Sequence, residues 1–112
     1  MAIPLETAVD GYLKAWNERD ATARAAELDE ALADDAEMTG PTGTFKGREA
    51  IDRLIVAMQD RMAGARIVRV GEMDGLTFAW QVLSPVGDVL LSGHDQVETA
   101  PDGRLLDIRV AL

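Results

Sequence analysis

Few polar side chains in this sequence are equipped for catalysis or ligation. There is one histidine, His94, one tyrosine, Tyr12, and no cysteine. The lack of cysteine removes disulfides, thiolate zinc sites and cysteine nucleophiles, and is compatible with any redox compartment. One histidine alone builds no metal cluster. Asp34 and Asp35 lack calcium-loop spacing, so solvated charge is their expected role and no metal or cofactor is expected. "GTFKG" lacks phosphate-loop spacing, and neither a dinucleotide fingerprint nor a nucleophile elbow occurs. What remains is Asp95, in "GHDQV", and Tyr12. Asp95 alternates with Gly93 and Val97, so the three share one strand face, and Val97 marks that face as inward. Desolvation there raises a carboxyl pKa and fits it for acid or base work. The structural alternative is an Asp paired with Tyr12, Trp80 or a backbone N–H. Tyr12 has two readings as well: donor to a ligand oxygen, or amphipathic core residue. His94 points to the opposite face by the same alternation, so it forms no dyad with Asp95.

These residues need elements to hold them. Pro4 suits a first helical turn. Leu5, Ala8, Val9, Tyr12, Leu13 and Trp16 then follow three-four spacing on one apolar stripe. Asp20 is the expected N-cap of a second helix, "ATARAAELDEAL". Asp34 and Asp35 are expected just beyond it, because carboxylates are repelled by the negative helix end. "AEMT" reads as a short strand and "GPTGTFKG" as a turn. "REAIDRLIVAMQDRM" reads as a third helix burying Ile51, Leu54, Ile55, Met58 and Met62. Arg48 is expected to brace its start against Asp34 or Asp35. After Gly64 the period becomes two. Leu76, Phe78, Trp80 and Val82 share a face, and "MDG", "SPVGD" and "APDG" separate the strands. Helices followed by an antiparallel meander make an α+β domain.

A chain of 112 residues, 47% apolar and 28% charged, suits one globular domain spanning 1–112. Twenty acidic residues against eleven basic ones give a net charge of -9. That charge disfavours nucleic acid and anionic membranes as partners. The start lacks a signal-peptide pattern, and no apolar run approaches a membrane span, so a cytoplasmic protein is expected.

"AWNERD", "LADDAEMTGPTGTFKGREAI" and "GHDQV…DGRLLDI" together resemble the NTF2-like superfamily, especially its SnoaL-like branch. The resemblance covers almost the whole chain. It implies a cone in which three N-terminal helices pack in a strongly curved antiparallel sheet, with a pocket at the open end. It also implies a homodimer through the sheet. Such families include steroid isomerases, polyketide cyclases, small hydrolases and dehydratases, and pockets with no known chemistry. In ketosteroid isomerase relatives the pocket holds a tyrosine on the first helix, an aspartate base after the first strand, and a protonated aspartic acid on a late strand. Tyr12 matches the tyrosine and Asp95 the late acid. The base position falls on Gly40, which has no side chain to take a proton.

Three readings follow from these residues. One is a pocket protein for a small hydrophobic ligand, oriented by Asp95 and Tyr12 and walled by Trp16, Met38, Gly40, Phe78, Trp80 and Val97. Another is a cofactor-independent isomerase, cyclase or hydrolase-like enzyme, with Asp95 as acid/base and Tyr12 as oxyanion donor. The third is a non-catalytic dimerisation module whose pocket is filled by side chains.

Overall fold

The computed structural model describes residues 2–112. Its N-terminal half is set by local signals. α1 (Leu5–Asn17) buries Ala8, Val9, Tyr12, Leu13 and Ala15 on one stripe. Asp20 caps α2 (Ala21–Ala31), its carboxylate accepting from the Ala23 N–H at 2.8 Å, which satisfies a donor the first helical turn leaves free. Arg24, 4% exposed, reaches from α2 to Asp52 at 2.5 Å. Its other arm donates to the backbone carbonyl of Glu18 at 3.0 Å. α3 (Arg48–Arg61) starts at Gly47, whose φ of +87° is a left-handed conformation that glycine adopts without strain.

Strand β1 (Leu32–Gly40) follows α2 with no loop between them. The expected four-residue "AEMT" strand is therefore nine residues long. Asp34 and Asp35 lie beyond the helix as expected, but inside the strand with their side chains exposed. Arg48 bonds the Leu32 carbonyl at 3.1 Å and pairs with Asp29 and Asp34, bracing the start of α3. β1 turns at Pro41 and Thr42 into β2 (Gly43–Lys46).

The remaining strands are β3 (Arg66–Asp74), β4 (Thr77–Leu83), β5 (Val89–Thr99) and β6 (Leu105–Ala111). They form an antiparallel meander, and the six strands stand in the order β2-β1-β6-β5-β4-β3. The sheet is mixed rather than purely antiparallel, because β1 and β6 pair in parallel. Leu76 falls in the turn before β4 and is exposed, so it leaves the face it was expected to share. α1 and α3 cover one face of the sheet, resting on β3 and on β1 with β2 respectively. Met38, Ile108 and Val97 align across three strands on that covered face, and Phe78 and Asp95 stand opposite one another beside them. Among the described residues no helix is long and apolar enough to cross a membrane.

Candidate functional site

A glycine positions the acid. Trp80 on β4 pairs with Gly93 on β5. A Cβ at position 93 would lie 2.5 Å from Trp80 Cζ2, so only a residue without one lets the indole lie across the neighbouring strand. Lying there, the ring reaches Asp95, two residues along on the same face. Trp80 Nε1 donates to Asp95 Oδ1 at 2.8 Å. The second carboxylate oxygen accepts no hydrogen bond among the described residues and opens to a cavity. Asp95 is 3% exposed. Burial pushes its carboxyl up to about 6, against the smaller opposing pull of the Trp80 bond and the His94 charge.

Tyr12 stands near Asp95 from the helical side. Its hydroxyl donates to the Met38 sulfur at 3.1 Å, and its ring meets Trp16 edge-on with centroids 6.3 Å apart. Burial, helped by the charge of Asp95, pushes the phenol well above its ordinary range, so it remains a donor at any working pH. A thioether is a weak acceptor. A ligand oxygen can therefore take this bond over at little cost.

The cavity measures about 190 Å³. Tyr12, Trp16, Met38, Gly40, Trp80 and Asp95 all lie on its wall. Phe78 and Val97 do not: both are fully enclosed in the core behind it. Gly40 supplies backbone only, and a Cβ there would rest 3.4 Å from that of Val110. Gly40 thus lies on the cavity wall and brings no carboxyl to it. His94 is exposed on the other face of the sheet, opposite Ala79 and Ala111. No group of three metal-ligating side chains occurs among the described residues.

Leu54, Met58 and Met62, expected in the core, are only half-buried because they form the helical wall of the cavity. Phe45, Ile67, Val82, Leu91 and Val110 complete the apolar lining. Apolar spacing on a helix or strand marks an inward face without saying whether the space beyond it is filled. The mouth was missed altogether: Asn17, Arg19, Pro41, Thr42, Arg66 and Leu112 are exposed residues on its rim. The corner after α1 holds that rim in place. Asn17 bonds the Ile67 backbone in both directions, at 2.9 and 2.8 Å. Gln59 donates to the carbonyls of Trp16 and Glu18 at 3.0 and 2.8 Å. Asn17, Arg24 and Gln59 thus tie "WNER" to β3, α2 and α3.

Three helices packed against a mixed six-stranded sheet make an α+β fold of the NTF2-like, cystatin-like class. A family model described as the SnoaL-like domain matches residues 9–110, and the chain belongs to that family. Among solved structures, it is similar to a SnoaL-like family member from Agrobacterium tumefaciens that bears the provisional name of an isomerase. That pair shares 29% identity over 94% of this chain and 93% of the other, with a TM-score of 0.84. A protein from Sinorhizobium meliloti, provisionally named a polyketide cyclase, shares 21% identity with a TM-score of 0.69, covering 97% and 95% of the two chains. An NTF2-like protein of unknown function from Exiguobacterium shares 18% identity with a TM-score of 0.72, covering 94% and 97%. The last two likenesses show the fold alone. Curated proteins give no significant match.

Proposed function

We propose that the cavity binds a small, mainly apolar molecule and orients one oxygen of it, of carbonyl type, between Asp95 and Tyr12. The observation that carries this reading is the pairing of an open, hydrophobic hollow with a buried acid, Asp95, one of whose carboxyl oxygens takes no hydrogen bond from the described residues. Pockets with an apolar wall and a few placed polar groups are the usual form of small-molecule sites. The size argues for one or two rings, since an apolar cavity of about 150 Å³ accommodates benzene. The protonated fraction of Asp95 and the Tyr12 hydroxyl are the donors available to a ligand carbonyl.

Catalysis is a second reading, favoured by the Asp95 carboxyl lying near neutrality. In that reading Asp95 removes a proton alpha to the carbonyl and returns it, and Tyr12 stabilises the enolate oxygen. Gly40 offers no second carboxylate, so the chemistry is limited to a single acid/base group. The isomerase and cyclase names of the similar structures accord with either reading.

A thermal-shift screen of one- and two-ring ketones and enones against their parent hydrocarbons tests binding. Saturation at a hundredfold above Kd should stabilise the fold by about 2.7 kcal/mol. Tyr12→Phe should erase the preference for the ketone and keep hydrocarbon binding. Exchange of alpha hydrogens for deuterium in the bound ketone, lost in Asp95→Asn while binding persists, would select the enzyme. Absence of any shift, together with unchanged tryptophan emission, would show a hollow without a ligand and leave the dimerisation module.

A further inference from the structure

We propose that the ligand is a ring-bearing hydroxy-ketone, whose hydroxyl donates to the free oxygen of Asp95 while Tyr12 donates to its carbonyl. This rests on the ligand-binding reading above and adds a second oxygen to it. The two polar groups deep in the hollow are of opposite kind. Tyr12 has only the Met38 sulfur, at 3.1 Å, as its acceptor, and burial keeps its proton in place. It offers a ligand a donor. Asp95 has Oδ1 engaged by Trp80 Nε1 at 2.8 Å. Its other oxygen takes no hydrogen bond among the described residues and is open to the cavity. In the ionised state that oxygen is an acceptor only. A simple ketone satisfies Tyr12 but turns lone pairs toward lone pairs at Asp95. A molecule that also carries an O–H satisfies both.

The register of the sheet favours two oxygens as well. Asp95 on β5 stands opposite Val110 on β6. Val110 in turn lies against Gly40 on β1, where a Cβ would rest 3.4 Å away. The Tyr12 hydroxyl is held toward Met38, two residues before Gly40 on that same strand. The donor is thus drawn toward β1 and the acceptor belongs to β5, with β6 between them. Two oxygens on neighbouring carbons span such a gap more readily than one. Gly40, without a side chain, leaves room for them along the wall.

Charge sharpens the preference. A hydrogen bond into a buried carboxylate is stronger than one between neutral groups, and it offsets part of the desolvation that burial imposes. Burial pushes the Asp95 carboxyl up to about 6, so the ionised form prevails at neutral pH. A ketone needs the protonated form as a donor, and loses it as pH rises through that value. A hydroxy-ketone keeps its bond to the ionised form. Among titratable groups, Tyr12 faces Asp95 from α1, and His94 adjoins it on β5 from the outer sheet face. The other charged residues on the wall, Arg19 and Arg66, stand at the rim.

The experiment compares 2-hydroxy-1-indanone with 2-fluoro-1-indanone, which is close in size and has no O–H, by calorimetry. On the wild-type protein at about pH 8 the hydroxy compound should bind roughly tenfold tighter, the scale of a hydrogen bond to a charged group. At about pH 5 the protonated carboxyl donates to either compound, so the fluoro compound should tighten and the gap should close. Asp95→Asn keeps an oxygen for Trp80 and turns an amide N–H to the cavity, so it should lose both the preference and its pH dependence. His94 is retained in that variant, so its charge cannot produce the difference. Equal binding of both probes to wild type at the alkaline pH overturns the hydroxyl assignment and leaves the cavity reading intact. So does a preference that persists in Asp95→Asn, or one that is the same at both pH values. Failure of the hydroxy compound to bind where 1-indanone binds also overturns it. If neither probe binds, and simple ketones fail too, both readings fall together.

Discussion

Asp95→Asn should make this protein more stable at neutral and alkaline pH. The folded carboxyl titrates at about 6 against an ordinary value of 3.8. Each tenfold change in proton affinity corresponds to 1.36 kcal/mol, so burying the ionised form costs about 3 kcal/mol. The sign follows from linkage. Below the unfolded value both states hold the proton and no cost exists. As pH rises the unfolded chain ionises first, and the cost accumulates until the folded carboxyl has ionised too. Asparagine never ionises, and its carbonyl oxygen can keep the bond from Trp80 Nε1. Urea denaturation of both proteins across the range from about pH 4 to about pH 8 isolates this group, because other carboxylates cancel in the difference. The two should be nearly equal at the acid end. The variant should gain about 2–3 kcal/mol at the alkaline end, or roughly 10 °C in Tm for a domain of this size. Such a gain on removing a charged group is a mark of a site kept at the expense of stability. A difference that is flat with pH, or a variant less stable at the alkaline end, would refute the reasoning.

Gly93→Ala should destabilise by about 1–3 kcal/mol, since its Cβ would meet the indole of Trp80 at 2.5 Å and the Ala111 carbonyl at 2.7 Å. Its tryptophan emission should shift as the ring leaves Asp95, and an unchanged melting curve would contradict the packing described. For the quaternary state, a homodimer through the outer sheet face is proposed on the exposure of Val70, Val89 and Leu90. Sedimentation equilibrium should give twice the chain mass, and Val70→Lys should give the monomer. A monomeric wild type would remove the proposal.

Much of the site was legible because strand alternation is a strict rule. It placed Asp95 inward with Val97 and turned His94 outward, and helical spacing turned Tyr12 toward the core. The bond from Trp80 was one of several partners open to Asp95. Deciding among them needed the register that sets Gly93 under the indole. The sheet was less legible. Periodicity tells which face a residue occupies but not which strand lies beside it, so the parallel pairing of β1 with β6 could not be seen. The length of β1 was hidden because Asp34 and Asp35 read as loop residues, while both are exposed on the strand and Asp34 is tied to the α3 start and the β6 turn through Arg48 and Arg104. Leu54, Met58 and Met62 carried a helical core signature that a cavity wall shares.

The placement of β6 in the middle of the sheet has a consequence for assembly. β1 belongs to the first third of the chain, yet the neighbour it needs, running alongside from Leu32 against Leu105, comes after every other strand. Until β6 has been made, β1 keeps one unmatched backbone edge. The pairing that closes the sheet joins residues far apart in sequence and carries the loop entropy of such distant contacts. The hollow cannot exist before that moment, so any molecule that fills it meets only a finished fold.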